Sequence, residues 1–367
     1  MAAKTLQRMN LDPSILRKLV NRRLFTAKDL LLATHLELAE GLDISSEAVS
    51  SLILIVSHAA APRASTVLDL YGRAQHHTTH LPTHLSALDA VLRGGVPVGA
   101  ITELVGPAGV GKSQLCHMLA VSTLLPITRH QPDKQTASVM YIDTEKKFSS
   151  RRVVEIAKAR WPQYFTSQET IRDITERILV VNPGSSEALI SHIKALEGSI
   201  IDHNIKLVLV DSIAALARSE FSRDKVVDRQ QMLGQQAAIL KSLAETFRIP
   251  VVVVNQVTAQ VHAPANHPFQ GSASTGNRQQ ESHLTAALGT VWAHAVNTRL
   301  VLESVADVRY IKVAKSPAAP LAAFAYRITE AGLNLLDGHR VPDQVQSSII
   351  NMHVAHEISY EPQPMGI

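Results

Sequence analysis

The stretch Gly106-Pro107-Ala108-Gly109-Val110-Gly111-Lys112-Ser113 decides how the rest of the sequence is interpreted. It has the spacing G-x-x-x-x-G-K-S of a phosphate-binding loop. An apolar run over 101–105 predicts a strand before it, and apolar residues at helical spacing over 114–124 predict a helix after it. Glycines let successive backbone N–H groups turn towards phosphate oxygens, and the helix N-terminus adds partial positive charge. We therefore predict a nucleotide site in which Lys112 reaches the β- and γ-phosphates and the Ser113 hydroxyl ligates Mg²⁺.

The composition is that of a globular chain with one large domain and a small one. Of 367 residues, 46% are hydrophobic and 19% charged, so a sizeable core is expected. The net charge of +4 is compatible with nucleic acid but too small to argue for it. The single cysteine, Cys116, excludes an internal disulfide and a cysteine-built zinc site. The longest apolar runs, such as 52–56 and 251–254, are too short to span a bilayer, so we expect no membrane association.

Residues 1–60 have the pattern of a small all-α N-terminal domain. Apolar residues recur at helical spacing over 11–23, 27–34 and 45–58. The hydroxyl of Ser45 or Ser46 can cap the third of these helices. Residues 61–80 lack periodicity and are interpreted as a linker.

Residues 81–337 are predicted to form an α/β core with a mostly parallel sheet and an antiparallel extension. Buried parallel strands are typical of the apolar, β-branched runs 138–143, 177–181, 206–211 and 249–255. Helical patterns lie between them at 151–160, 186–203 and 230–247. The antiparallel strands are predicted at 298–303, 310–314, 324–329 and 333–336. We expect residues 338–367 to form a poorly ordered tail.

Three polar side chains at predicted strand ends complete the candidate nucleotide site. Asp211 ends a buried strand, where a carboxylate can hold the water shell of Mg²⁺. Glu145 closes another strand and is placed to activate water, although an exposed Glu in a strand-to-helix loop is an equally good reading of the pattern. Gln256 follows a third strand and could sense a γ-phosphate or be a simple loop polar residue.

In this order and spacing, the motifs resemble the RecA-type strand-exchange ATPases, and within them the eukaryotic recombinase branch. The motifs around the phosphate-binding loop are Leu88-Asp89, Gly94-Gly95, Tyr141-Ile142-Asp143-Thr144-Glu145, Leu209-Val210-Asp211-Ser212 and Asn255-Gln256-Val257. The later ones are Trp292-Ala293-His294-Ala295-Val296 and Ala314-Lys315-Ser316-Pro317. The likeness covers residues 5–336 and is greatest to the B-paralogue group in its plant form, through 81–85, 148–153 and 312–317.

The resemblance implies roles for individual residues in binding and hydrolysing ATP with Mg²⁺. It makes Glu145 the residue that activates water and Gln256 the γ-phosphate sensor, with Lys112 as the phosphate-binding cation. Asp211 would hold Mg²⁺ through water, and Arg152 would lie near the adenine base. Lys315-Ser316-Pro317 matches a segment that caps ATP bound in a neighbouring subunit.

The resemblance also implies partners and a cellular role. It predicts a nuclear, DNA-dependent and weak ATPase that mediates homologous recombination repair of double-strand breaks. Its partners would be the main recombinase, single-stranded and branched DNA, and other paralogues in a heteromeric complex, the C paralogue first among them. The alternative is a structural subunit clamped by ATP with negligible hydrolysis. A GTPase would need an Asn-Lys-x-Asp string, which this sequence lacks, and a kinase would need an Arg-rich lid.

The two loops that contact DNA in the resembled family depart here from a strongly basic pattern. The first, 218–236, carries the cations Arg218, Arg223, Lys225 and Arg229 against three acidic residues, so modest DNA affinity is expected. The second, 258–287, contains Arg278 and is either a DNA-contacting loop or a flexible insertion.

Two further departures concern contacts with other chains. Asp43, in Gly41-Leu42-Asp43-Ile44-Ser45, stands where helix-hairpin-helix modules favour a glycine facing phosphate, so the N-terminal domain is interpreted as protein-contacting. The linker lacks the Phe-x-x-Ala hook of active recombinases. Tyr71-Gly72-Arg73-Ala74 is either its substitute or a coincidence of spacing.

Overall fold

The computed structural model describes residues 5–61, 64–75, 79–125, 136–220, 226–256, 288–338, 341–342 and 345. The chain divides into two compact units, residues 1–76 and 77–367. Among the helices described, none combines the length and apolar character needed to cross a bilayer.

The N-terminal unit is a set of short helices around its own apolar core. It contains a 3₁₀ turn, Leu6–Arg8, followed by helices α1 Pro13–Asn21, α2 Ala27–Leu32, α3 His35–Leu42 and α4 Ser46–Ala60. Side chains of Asp12, Thr26, Thr34 and Ser45 each accept a hydrogen bond from a backbone N–H of the helix that follows. The expected capping of α4 by Ser45 is therefore confirmed.

The sequence pattern did not predict α3. Its start is marked by a reciprocal capping box, in which Thr34 Oγ1 accepts from Glu37 N and the Glu37 carboxylate accepts from Thr34 N. The helix ends at Leu42 and is followed by Asp43, whose φ of 48° lies in the left-handed region that favours glycine. Asp43, which stands where helix-hairpin-helix modules favour glycine, thus has the backbone conformation that glycine adopts most easily.

The lack of periodicity over 61–80 had suggested an irregular segment, but part of this stretch is helical. Helix α5 spans Val67–Gln75 and follows Thr66, whose Oγ1 accepts from Asp69 N at 3.1 Å, while Thr66 N donates to Asp69 Oδ2 at 3.3 Å. This T-x-x-D box is a start signal that an apolar-periodicity criterion misses, because the apolar side chains of the helix face solvent. Tyr71 is 61% exposed, and its role as a hook remains a prediction.

Within its described residues, the second unit contains a nine-stranded sheet and a separate two-stranded ribbon. Its strands are β1 His80–Leu81, β2 Val96–Pro97, β3 Ile101–Gly106, β4 Ser138–Asp143, β5 Ile178–Val181, β6 Ile205–Asp211, β7 Val251–Gln256, β8 Thr298–Val305, β9 Val308–Lys315, β10 Ala322–Thr329 and β11 Gly332–Leu335. Its helices are α6 Ser86–Val91, α7 Lys112–Leu124, α8 Ser150–Arg160, α9 Gln168–Glu176, α10 Ser186–Asp202, α11 Ile213–Glu220, α12 Val226–Phe247 and α13 Gly289–Ala295.

The strand order in the large sheet is β11-β10-β9-β8-β3-β7-β6-β4-β5. Strands β8, β3, β7, β6, β4 and β5 pair in parallel, and β9, β10 and β11 extend the sheet antiparallel beyond β8. This confirms the predicted α/β architecture. Strands β3, β4, β6 and β7 are buried over nearly their whole length because two hydrophobic clusters pack against the sheet.

The register of the parallel strands determines where the polar strand ends meet. Gly106 pairs with Gln256, and Asp143 pairs with Asp211. The phosphate-binding loop and the ends of β4, β6 and β7 therefore share one edge of the sheet, as ligand sites do in open α/β sheets.

The expectation of a loop over 218–236 is wrong for its described part. Helix α11 continues to Glu220, and α12 begins at Val226. Leu233 and Ala237 are buried in the cluster on one face of the sheet, and burial of such residues at helical spacing stabilises a helix here rather than a loop. Residues 221–225 lie outside the described part.

The predicted tail, 338–367, lies almost wholly outside the described residues. Val345 is an exception, since it is buried in a cluster with Tyr310 and Ala325 of the antiparallel extension. The beginning of this segment therefore contributes to the core.

Candidate nucleotide site

The phosphate-binding loop connects β3 to α7 in a conformation that requires glycine. Gly109 and Gly111 have φ values of 81° and 104°, and a Cβ on Gly111 would come within 2.8 Å of Ile328. The phenolic O–H of Tyr326, on β10, donates to the Val110 carbonyl at 2.5 Å. The loop is thus held from outside by the antiparallel extension, which the sequence pattern did not indicate.

Lys112, the first residue of α7, contacts backbone carbonyls at the start of the phosphate-binding loop. Its Nζ donates to the carbonyls of Gly106 at 2.7 Å and Pro107 at 2.6 Å. Only 6% of the residue is exposed. A buried ammonium bounded by backbone groups and the N-terminus of a 13-residue helix suits a polyanion such as a triphosphate.

Asp211 and Ser113 lie together at the end of β6. The Ser113 hydroxyl donates to Asp211 Oδ2 at 2.6 Å, and the Tyr141 hydroxyl donates to the same oxygen at 2.8 Å. Burial raises the pKa of Asp211 above its usual value. A hydroxyl beside a carboxylate is an oxygen donor set that suits Mg²⁺, so the residues present fit the ion that the phosphate-binding motif implies.

Side chains from the ends of β6 and β7 and from its own turn donate to Glu145. Its Oε1 accepts from the Ser212 hydroxyl at 2.8 Å and from the side-chain amide of Gln256. Its Oε2 accepts from Lys147 Nζ at 2.6 Å. The strand-end residues predicted from sequence are therefore brought together as a chain of contacts, Ser113–Asp211, then Ser212–Glu145–Gln256.

The turn after β4 sets the direction of Glu145. The Asp143 carboxylate accepts from the backbone N–H groups of Glu145 at 3.1 Å and Phe148 at 2.8 Å. Thr144 Oγ1 donates to the Ser212 carbonyl at 2.6 Å and accepts from Ser212 N at 3.0 Å. The ends of β4 and β6 are thereby fastened to each other directly beneath the carboxylate.

Sequence reasoning missed three members of this site. Ser212 directly follows the predicted Asp211, so its position could have indicated it, whereas the contact of Lys147 depends on side-chain directions in the turn after β4. Nothing in the pattern marks Tyr141, a buried aromatic residue in a strand, as a partner of Asp211. Only the pairing of β4 with β6 brings the two side chains together.

Arg152, predicted to lie near adenine, is tied to neighbouring elements of its own chain. Its Nε donates to Gln114 Oε1 at 2.7 Å, and its terminal nitrogens donate to Glu155 and to the carbonyls of Thr329 and Glu330. These contacts fasten α8 to α7 and to the β10–β11 turn. A contact with adenine remains a prediction.

Lys315 lies away from the phosphate-binding loop of its own chain. Its Nζ donates to the carbonyls of Ala293 at 2.8 Å and Val296 at 2.7 Å, at the end of α13. Burial is the main cause that lowers the pKa of Lys315. Pro317 follows two residues later, in the turn between β9 and β10.

The register shows which edge of the sheet Lys315 occupies. It pairs with Arg299 near the start of β8, and the neighbouring Thr298 pairs with Thr102 near the start of β3. The phosphate-binding loop begins at Gly106, at the other end of β3, four residue steps or about 13 Å along the strand from Thr102. Lys315 therefore lies near the starts of β8 and β3, at the opposite end of these strands from the phosphate-binding loop, and a role of Lys315 and Pro317 at a neighbouring subunit's ATP remains a prediction.

Most residues predicted to contact DNA cannot be placed. Arg223, Lys225 and Arg278 lie outside the described residues, and only the helical backbone of Arg218 is described. Arg229 lies on α12 and is half-buried. The prediction of modest DNA affinity stays as it was.

A fully buried carboxylate links the strands beneath the site. Glu103, in β3, accepts from Asn255 Nδ2 at 2.8 Å, from Trp292 Nε1 at 2.9 Å and from Arg299 Nε at 2.7 Å. These donors come from β7, α13 and β8, and Asn255 directly precedes Gln256. Because the Glu103 carboxylate accepts from three elements at once, this network fixes their relative positions. It joins the strand of the phosphate-binding loop to the strand of the predicted sensor.

His117 is a buried histidine on α7, directly behind the site. Its ring lies 5.8 Å from that of Tyr141 and 5.4 Å from that of Phe148. Within the described part of the chain, neither ring nitrogen has a hydrogen-bond partner. Burial lowers the pKa of His117 to about 4, and the charge of Arg152 adds to this effect.

We predict that His117 makes the protein less stable as pH falls. Below about pH 6.5 the unfolded chain binds a proton at this residue, whereas in the folded chain His117 stays neutral down to about pH 4. Proton binding therefore stabilises the unfolded state relative to the folded state as pH falls. Between pH 7.5 and pH 5 the free energy of unfolding of His117→Phe should fall by ~2 kcal/mol less than that of the parent chain. Urea unfolding at both pH values measures this. His192→Gln, at an exposed position, is the control, and equal losses in His117→Phe and the parent would contradict the prediction.

Comparisons with known proteins agree with the fold. The Rad51 family profile matches residues 74–335, and a profile described as "XRCC3/RpoA-like, helix-hairpin-helix domain" matches residues 6–60. The chain is similar to proteins named "DNA repair protein RAD51 homolog 2". The one from Arabidopsis thaliana is 42% identical over 92% of both chains. Those from Mus musculus and Homo sapiens are 37% and 36% identical over 93% and 91% of this chain, and over 100% and 90% of their own lengths. The chain therefore belongs to the Rad51 family.

Proposed function

We propose that this chain binds and slowly hydrolyses ATP, and that the nucleotide governs its assembly with other recombinase paralogues during DNA repair by homologous recombination. The observation that carries the proposal is the contact chain that joins Ser113 and Asp211 to Ser212, Glu145 and Gln256. Relatives named DNA repair proteins match over nearly the whole chain, and they support the repair role.

Binding relies on the phosphate-binding loop and on Lys112. When a triphosphate enters, Lys112 exchanges the carbonyls of Gly106 and Pro107 for phosphate oxygens. That exchange replaces neutral acceptors by charged ones, which form stronger hydrogen bonds. Ser113 and Asp211 would hold Mg²⁺, the latter through water, and the ion would neutralise phosphate charge.

Hydrolysis relies on Glu145 and Gln256. A water next to Glu145 loses its proton to the carboxylate as its oxygen attacks the γ-phosphorus, the bond from that phosphorus to the β–γ bridging oxygen breaks, and ADP leaves with the electron pair while inorganic phosphate is formed. The Gln256 amide, which donates to Glu145 in this structure, can donate to phosphate instead. Its position at the end of β7 then depends on whether the terminal phosphate is present.

Assembly relies on the opposite edge of the sheet. Lys315 and Pro317 lie far from the loop of their own chain, so they would cap a nucleotide bound by an adjacent subunit. We propose that this subunit is another paralogue, the C paralogue first, in a nuclear complex that loads the main recombinase on single-stranded or branched DNA. The near balance of charges over 218–236 supports a division of labour in which partners provide much of the DNA affinity.

The second candidate is an ATP-clamped structural subunit with negligible hydrolysis. One observation favours it: both oxygens of Glu145 are engaged by side-chain donors. Nucleotide held between two subunits would stabilise the complex by mass action without any turnover.

We expect assembly with the C paralogue to depend on nucleotide. Co-purification of the two full chains should be retained with ATP and largely lost without nucleotide, because a nucleotide bridging two subunits stabilises only the assembled state. Lys315→Gln should weaken the ATP-dependent complex several-fold. Lys206→Gln, at an exposed position on β6, is the control. A complex that is equally stable with and without ATP would contradict the assembly role. Restoration of homologous recombination in cells lacking the chain tests the repair role directly.

A further inference from the structure

We propose that Lys147 restrains the catalytic carboxylate, so that Glu145 can accept a proton from water only after the Lys147 ammonium has moved away. The proposal rests on the proposed role of Glu145 in ATP hydrolysis. It assigns a function to a residue that neither the phosphate-binding motif nor the strand-end pattern indicated.

The geometry divides the Glu145 carboxylate into two halves. Oε1 faces inward and accepts from Ser212 and Gln256, which hold the side chain in place. Oε2 accepts from Lys147 Nζ at 2.6 Å. Lys147 thus engages the carboxylate oxygen that Ser212 and Gln256 do not contact.

An ammonium in this position opposes general-base catalysis. It stabilises the charged form of a carboxylate, and a stabilised carboxylate is a poorer proton acceptor. The interaction is reciprocal, since the hydrogen bond to Glu145 is the main cause that raises the pKa of Lys147. Lys147 therefore remains charged throughout the physiological range, and the restraint is present whenever the contact is formed.

The restraint is also easily released. The Lys147 side chain is 73% exposed, whereas that of Glu145 is 13% exposed. An exposed ion pair is weak and is screened by salt. An anion that approaches Lys147, such as a terminal phosphate, can therefore draw this lysine away from Glu145 without disturbing Ser212 or Gln256.

The neighbouring lysine provides a matched control. Lys146 is exposed and carries the same charge. In the part of the chain that the structure describes, it makes no hydrogen bond or ion pair with Glu145. Neutralising Lys146 changes the net charge of this turn by the same amount as neutralising Lys147, but leaves the contact between Lys147 and Glu145 intact.

The test is steady-state ATP turnover by the full chain, with kcat and KM measured separately at low and high salt. Lys147→Gln should raise kcat about two- to fivefold with KM for ATP little changed, as expected for an exposed ion pair. The gain should shrink in high salt, because salt already weakens the contact in the parent chain. Lys147→Arg keeps the charge and should stay nearer to the parent rate than Lys147→Gln. Lys146→Gln should match the parent.

Different outcomes separate the restraint from the proposed function. If Glu145→Gln abolishes turnover but Lys147→Gln lowers kcat or leaves it unchanged, the restraint is wrong and the hydrolytic role stands. If Glu145→Gln leaves turnover unchanged, both fail. A gain in Lys146→Gln equal to that in Lys147→Gln would attribute the effect to overall charge and overturn the proposal. Thermal unfolding of each variant confirms that a change in rate is not a change in folded fraction.

Discussion

Glu145→Gln is expected to lower ATP turnover about a hundred- to ten-thousandfold, which is the contribution of a positioned general base. The amide has nearly the same shape and can still accept from Ser212, but it cannot take a proton from water. Nucleotide affinity should change by no more than about twofold, because the phosphates are held by other groups. A kcat loss at constant affinity would show that the carboxylate acts in the transition state and not in binding.

The measurement is turnover with and without single-stranded DNA, alongside equilibrium binding of a fluorescent ATP analogue. Glu169→Gln is the control, since Glu169 lies at an exposed position on α9. Unchanged turnover in Glu145→Gln would reject the hydrolytic role and favour the clamp. Equal losses in binding and turnover would mean that the substitution disrupts the site as a whole.

Lys112→Ala is expected to weaken ATP binding by at least about a hundredfold. The substitution removes the main counter-charge to the phosphates, and each lost charge-assisted hydrogen bond contributes roughly 1.5–3 kcal/mol. It also removes the two bonds by which Lys112 holds the carbonyls of Gly106 and Pro107. The loop would then lose part of its preorganisation as well as its cation.

Lys112→Arg separates charge from geometry. The guanidinium retains the positive charge but is larger and planar, so it should keep part of the affinity while misplacing the charge during hydrolysis. Lys158→Ala, at an exposed position on α8, is the control for nonspecific loss of charge. Equilibrium binding measures both variants, and tight ATP binding by Lys112→Ala would contradict the assignment of the site.

Much of the core fold could be predicted because its strands are buried on both faces. The β-branched runs at 138–143 and 206–211 coincide with β4 and β6 to within one residue at each end. Helices α3 and α5 were missed, because their starts are marked by capping boxes whereas the prediction relied on apolar periodicity. The extent of α12 was underestimated at its start for a related reason, since the polar run 228–231 near its beginning interrupts the apolar spacing.

The candidate site could be predicted where it depends on strand ends. Asp211, Glu145 and Gln256 were indicated by their positions after buried strands, and the parallel register brings them to one edge. Tyr141 and Lys147 were not indicated, because their contacts depend on side-chain directions across neighbouring strands and within a turn. The buried network around Glu103 was not predicted, because the residues that donate to Glu103 are distant from it along the chain.

The sequence by itself determined the phosphate-binding loop, the parallel core and the order in which polar residues follow its strands. These features depend on local spacing, on glycine conformation and on runs of apolar residues, all of which are encoded over a few consecutive positions. Only the tertiary structure decided that Lys147 contacts the Oε2 atom of Glu145 and that Lys315 lies at the opposite end of the parallel strands from the phosphate-binding loop. The position of Lys315 depends on strand order and register, which are set by the packing of the whole core. The Lys147 contact depends on the side-chain directions in the turn after β4, which the Asp143 carboxylate and the end of β6 hold in place.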